Sequence, residues 1–267
     1  MDPLGLFPAS MMAQAIRLGQ SRFYSREGVT LPTPPPGVSG VVGWWDASVT
    51  ASLNLTGSNI NSVADQSGLN NTMNWITNKP AYSATGFNST KPAFIFGAGI
   101  ATALEATNFP MGIGNTLTLW SVTTMPNTGT QQYGRYFSYA PTGGGYDFNS
   151  PNTFLVSQNS NTATQCAFQR NTITIASSTQ TGYPAPHRFI VTVSATGTVT
   201  IYIDGVSVGT GISGGNWVNS GLLRIGCDMI ASSFLAAPIA ECGVATGYSD
   251  ATAVGQLDSY LKTKWGL

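Results

Sequence analysis

From residue 38 onward the chain is punctuated about every ten residues. Short runs of β-branched and aromatic residues in alternation are broken by clusters of Gly, Asn, Ser and Pro. The runs expected to be strands are 41–45, 93–96, 116–123, 135–139, 153–156, 166–169, 172–176, 187–194, 198–203 and 221–225. The clusters between them include Pro141-Thr-Gly-Gly-Gly145 and Gly211-Ile-Ser-Gly-Gly215. Two hairpins are well marked. The runs 187–194 and 198–203 flank Ala195-Thr196-Gly197, and Asp204-Gly205 is a pair suited to a type I′ turn leading into 206–208. No internal repeat of fixed period interrupts this pattern. Only the final stretch, Ser249 to Trp265, changes period. Ala253, Val254, Leu257, Tyr260, Leu261 and Trp265 recur at helical spacing, and Ser249 or Asp250 can cap the helix. Many short strands at even spacing in a chain of 267 residues predict one all-β sandwich or jelly roll with a short C-terminal helix.

Charge narrows the function. Eleven basic and eleven acidic residues give zero formal net charge, and charged residues are 8% of the chain, against about 25% in an ordinary globular protein. That is too sparse for a face that grips nucleic-acid phosphates. With 42% hydrophobic residues, disorder of the whole chain is excluded. No run of 18 apolar residues is present, so no membrane insertion is expected. The first residues carry an acid, Asp2, and lack the basic and apolar regions of a secretory leader. A neutral, polar surface without such a leader suggests a particle assembled in the host cytoplasm and released by lysis. On this reading the protein sits on the exposed surface of a virion.

Residues 1–37 have a different character. Arg17, Arg22, Arg26 and Glu27 concentrate charge there, and Met11–Tyr24 has an imperfect helical pattern. The run 31–37, LPTPPPG, is a stiff, extended spacer. One reading is a disordered terminus. The other is an arm that anchors on further virion proteins through Leu4, Leu6, Phe7, Ile16, Leu18, Phe23 and Tyr24. The chain thus divides into an arm, 1–37, and a sandwich domain, 38–267.

The order of motifs is informative. Val41-Val-Gly-Trp-Trp-Asp-Ala-Ser48 resembles the opening strand of concanavalin A-like, laminin-G-like jelly-roll domains of phage virion and bacterial surface proteins. Asp65-Gln-Ser-Gly68 with Asn70 and Asn71 resembles the next segment of that group, with Val63-Ala64 where Trp is frequent. Lys91-Pro-Ala-Phe-Ile-Phe-Gly97, the stretch 187–205, Leu223-Arg-Ile-Gly226 and 238–245 resemble its later strands. The stretch 257–266, LDSYLKTKWG, resembles its closing helix. The resemblance covers about residues 40–267. It implies a concanavalin A-like two-sheet β-sandwich that binds glycans or proteins or builds virions, in some members with Ca²⁺. Fold alone does not choose among these.

Chemistry can be weighed residue by residue. His187 is the single histidine and opens a predicted strand, and no G-x-S-x-G elbow accompanies it, so Ser-His-Asp catalysis is not expected. The glutamates are Glu27, Glu105 and Glu241. Glycoside hydrolysis would have to pair Glu105 with Glu241. The expectation is a protein that is not an enzyme. Asp46, Asp65, Asp147 and Asp228 are the weak Ca²⁺ candidates, none in a D-x-D-x-D-G loop; no cofactor is expected. Cys166, Cys227 and Cys242 read as small buried hydrophobes, with a Cys227–Cys242 bridge as the alternative. Sugar recognition uses aromatic faces beside neutral amides and hydroxyls. Its candidates are Trp75, Tyr133, Tyr146 and Trp217, with Tyr136 and Tyr183 behind them, whereas Trp44, Trp45, Trp120 and Trp265 read as core. The sequence therefore predicts a capsid-decorating, head-fibre or tail-associated virion protein, homo-oligomeric, that displays a lectin-like domain towards cell-surface polysaccharide. A carbohydrate-binding adhesin of a bacterial surface protein is the alternative, and a glycoside hydrolase stands behind both.

Overall fold

The computed structural model describes residues 33–97, 100–112, 114–124, 134–142, 149–150, 152–158, 166–176, 185–213 and 220–267. The arm residues Leu4 to Tyr24 named above lie outside them. Thr33–Leu267 form a compact unit.

Among the described residues the fold is nearly all β. Its strands are β1 (Val41–Asp46), β2 (Leu53–Thr56), β3 (Asn59–Val63), β4 (Met73–Trp75), β5 (Ala81–Phe87), β6 (Lys91–Ile95), β7 (Leu104–Phe109), β8 (Leu117–Thr124) and β9 (Arg135–Pro141). They continue with β10 (Phe154–Gln158), β11 (Cys166–Arg170), β12 (Ile173–Ala176), β13 (Pro186–Val193), β14 (Thr198–Ile203), β15 (Val206–Ile212), β16 (Gly221–Ile225) and β17 (Pro238–Ala245). The helix α1 (Ala251–Trp265) follows. All paired strands are antiparallel. One run of pairing goes β1–β17–β8–β13–β14–β15. A second goes β2–β3–β4–β7–β16–β9–β10–β11–β12. The runs are joined. β6 takes the part of the β17 edge that β1 leaves free, at Pro238 and Ile239, then pairs β5, which meets β3 at Asn59 and Ala81. Hydrogen bonding is therefore continuous, and the strands form one large, nearly barrel-like antiparallel sheet.

The period of two along a strand sorts side chains between two clusters. Leu117 and Leu119 of β8 enter the inner core with Phe189 and Val191 of β13, while Trp120 and Val122 turn outward. That outward face would be wet on its own. It is covered by α1, whose Val254, Leu257, Leu261 and Trp265 pack on Trp44, Trp120, Val122 and Ile190. This explains why β8, β13 and β17 are buried along nearly their whole length and why adjacent tryptophans in β1 serve different clusters: Trp44 lies under the helix and Trp45 in the inner core.

The helix has a capped start and a left-handed stop. Asp250 Oδ1 accepts from Ala253 N at 2.9 Å, and Gly266 adopts φ 70°. At the β14–β15 turn Asp204 and Gly205 have φ of 51° and 81°, the signs that the type I′ reading required. Arg188 of β13 grips Asp258 of α1 through two nitrogens, at 2.8 and 3.3 Å. The three cysteines are buried thiols, and Cys227 and Cys242 are not bridged. Burial pushes the Cys166 and Cys227 thiols up to about 12 and that of Cys242 well above its ordinary value.

Candidate functional site

The strand β4 is short because its two ends lie in different surroundings. Met73 is fully buried in the inner core. Trp75, two positions on and on the same side by alternation, has passed the rim of that core and is 43% exposed. The chain after it cannot leave freely, because its backbone is tied on both sides. Ile76 N and Asn78 N donate to Ala103 O and Ala101 O, at 3.3 and 2.9 Å. Ile60 N donates to Pro80 O at 2.8 Å, and Tyr82 N to Ser58 O at 2.7 Å. Thr77 Oγ1 and Asn78 Nδ2 also donate to Ala101 O.

This tethering leaves an open depression of about 540 Å³ lined by Asn59, Trp75, Thr77, Asn78, Lys79 and Ile100. Lys79 Nζ sits 5.1 Å from the centre of the Trp75 ring and donates to Asn61 Oδ1 at 2.7 Å. Asn61 Nδ2 in turn donates to Thr56 Oγ1 at 2.9 Å and Asn54 Oδ1 at 3.2 Å. The cleft thus offers an indole surface, amide and hydroxyl groups, and one cation. An indole packs the C–H face of a pyranose, and amides match its hydroxyls.

The structure sorts the remaining candidates. Tyr133, Tyr146, Tyr183, Trp217 and Asp147 lie outside the described residues. Tyr136 is 1% exposed and packs edge-on against Phe189, so it belongs to the core and presents no binding face. Trp44, Trp45, Trp120 and Trp265 are core, as the sequence indicates.

The acidic candidates are occupied by the protein. Asp65 accepts from the backbone of Trp44, Ser67 and Asn71 and from Ser67 Oγ, between 2.6 and 3.0 Å, and so folds its own loop. Asp228 accepts from Ser232 N and Oγ. Asp46 accepts from Ser48 N and Oγ and pairs with Lys264. Among the described residues, no three His, Cys, Asp or Glu side chains are grouped as metal ligands.

The two described glutamates do not meet. Leu104 and Ala106 point into the inner core, so Glu105 between them faces the other way, where Arg224 holds it at 2.7 Å. Glu241 lies under α1. A register shift in β17 between Ile239 and Glu241 turns both Ala240 and Glu241 towards the helix. The inner core therefore stands between the two carboxyl groups. Glu241 is wholly buried and accepts from Trp44 Nε1 (2.8 Å), Trp265 Nε1 (2.9 Å) and Lys264 Nζ (2.7 Å). Burial pushes its carboxyl above the ordinary range, and the Lys264 charge offsets this only in part. His187 Nδ1 is 2.7 Å from Asp204 Oδ2, which ties β13 to the hairpin turn.

Of the cleft, the sequence singled out Trp75 alone. Asn59, Thr77, Asn78, Lys79 and Ile100 belong to no motif that marks them as binding residues. A usable signal is present for one of them: in a chain with so little charge, a lysine shortly after a candidate sugar-binding tryptophan stands out.

No family model matches the sequence, and no curated protein matches it significantly. Solved structures do resemble the fold. The sialidase of Trypanosoma rangeli superposes with a TM-score of 0.57 at 12% identity, over 96% of this chain and 39% of its own. Domain 4 of AbnA, an extracellular arabinanase of Geobacillus stearothermophilus solved in complex with arabinotriose, gives 0.57 at 12% identity, over 83% of this chain and 99% of that domain. The binding domain of botulinum neurotoxin serotype G gives 0.56 at 14% identity, over 84% and 51%. This chain thus spans about two-fifths of the sialidase chain and about half of the neurotoxin binding domain. At these identities the likeness is one of fold. Among the described residues no helix is long and apolar enough to cross a membrane.

Proposed function

We propose that this protein is a non-enzymatic, lectin-like module that binds carbohydrate in the Trp75 cleft and is displayed on a virion, where residues 1–37 attach it to other particle proteins. One observation carries the binding reading: an exposed tryptophan set among Asn59, Thr77, Asn78 and Lys79 in an open depression. The fold likeness supports it, since an arabinotriose-bound domain and a sialidase solved with sialic acid share this architecture. A concanavalin A-like arrangement fits the two runs of strands with the inner core between them. The separation of Glu105 from Glu241 by that core supports a binding role over hydrolysis. The virion reading rests on the neutral polar composition and on the proline spacer.

The test is a glycan array probed with the full chain and with Trp75→Ala, in the presence and absence of Ca²⁺. Binding of a defined glycan class without Ca²⁺, lost in the variant, is expected. Unchanged binding by the variant, or no binding by the parent chain, overturns the site.

A further inference from the structure

We infer that the glycan held at this cleft is acidic, with a carboxylate of a sialic or uronic acid seated on Lys79; this rests on the sugar-binding reading above. Among the described residues that line the cleft, Lys79 is the one charged group and none is a carboxylate. Among the described residues Arg188, Arg224 and Lys264 each pair with acids, whereas Lys79 has a neutral partner, Asn61. Its ammonium has three protons. One goes to Asn61 Oδ1 at 2.7 Å, which leaves two for a ligand. The ammonium lies over the Trp75 ring, and Asn61 is itself held by Thr56 and Asn54. The cation is thereby fixed in advance, so less side-chain freedom is lost when an anion arrives. A pyranose packed on the exposed part of the indole brings a ring carboxylate to the ammonium that lies over the ring.

The balance of charge selects the kind of anion. A polysulfated chain needs a file of cations. Beyond Lys79 the surface continues through Asn61, Asn54 and Thr56, all neutral. One ammonium suits one carboxylate per bound unit, and the neutral strip suits hydroxyls of the next sugar.

The experiment compares the full chain with Lys79→Gln and Trp75→Ala by calorimetry. The probes are sialyllactose, trigalacturonate and the methyl esters of both. The parent chain is expected to bind at least one acid about tenfold more tightly than its ester, as loss of a charge-assisted hydrogen bond implies. That preference shrinks with added salt and vanishes in Lys79→Gln. Which acid binds identifies the source of the carboxylate. Equal affinity for acid and ester in the parent, or a preference that survives in Lys79→Gln, overturns the charge inference and leaves the sugar site standing. Undiminished binding in Trp75→Ala overturns the site and the inference with it.

Discussion

Lys264, the penultimate residue of α1, donates to the wholly buried Glu241 of β17 at 2.7 Å, against the rings of Trp44, Tyr260 and Trp265. The pair also includes Asp46, so two carboxylates share one ammonium. It fastens the helix to β1 and β17 and explains why the closing segment carries both Lys264 and Trp265.

Loss of one partner leaves buried charge uncompensated. Lys264→Met is expected to cost about 3–5 kcal/mol in denaturant unfolding. A cost below about 1 kcal/mol, the scale of an exposed pair, would show that the clamp is solvated.

The same groups set the response to pH. Burial alone lowers the Lys264 ammonium, but the carboxylates of Glu241 and Asp46 outweigh it and hold it above its ordinary value. A raised base stabilises in full below the unfolded value, about 10.4, and the contribution fades as pH rises through the folded value. Asp204 has the opposite sense. Burial lifts it, yet the hydrogen bonds and charges of His187 and Arg188 leave it below its ordinary value. Its contribution is present above the unfolded carboxyl value and fades as pH falls through the folded one. Thermal midpoints against pH should show an alkaline decline that Lys264→Met lacks and an acid decline that Asp204→Asn reduces. Profiles that superpose on the parent would refute both assignments.

Two glycine substitutions should act in opposite directions. A Cβ on Gly243 runs into the Trp120 ring, whereas one on Gly255, on the exposed side of α1, meets nothing within 4 Å. Gly243→Ala is expected to destabilise by about 1–3 kcal/mol through overpacking. Gly255→Ala should stabilise by about 0.5–1 kcal/mol through helix propensity. Urea midpoints of the two variants check the signs.

The thiols of Cys166 and Cys227, pushed up to about 12 by burial, are almost wholly protonated at pH 8. Iodoacetamide should leave the native protein unlabelled at all three cysteines and alkylate all three after unfolding. Rapid native labelling at any of them would contradict its burial.

The compact unit begins at Thr33, and Gly37 O accepts from Ser249 Oγ beside the helix. Deletion of residues 1–32 is therefore expected to preserve the thermal midpoint and glycan binding while abolishing incorporation into particles. Normal incorporation of the truncated chain would remove the anchoring role.

What the sequence makes legible follows from how strongly each strand advertises its burial. β8, β13 and β14 are rich in Leu, Val, Ile and aromatic residues, and they are legible to within a residue or two. The helix is legible from its spacing and from Asp250. β2, β3, β4, β5 and β7 are not. Their sequences LNLT, NINSV, MNW, AYSATGF and LEATNF hold few apolar residues in alternation and several of low strand propensity. Pairing with neighbours makes them strands. These polar strands and their connections build the Trp75 cleft, so the tryptophan could be suspected while Lys79 and Asn61 could not be placed beside it. The clamp at Glu241 was hidden for a different reason: a register shift, invisible in the sequence, turns that residue towards the helix.

The pairing of β1 with β17 joins the beginning of the folded unit to its end, and α1 then seals the face they share. During synthesis β1 must wait, with Trp44 uncovered, until the ribosome has delivered almost the entire domain. Such non-local closure slows folding. It also means that a product cut short before β17 lacks both the strand partner and the helical cover, and so leaves Trp44 open to water.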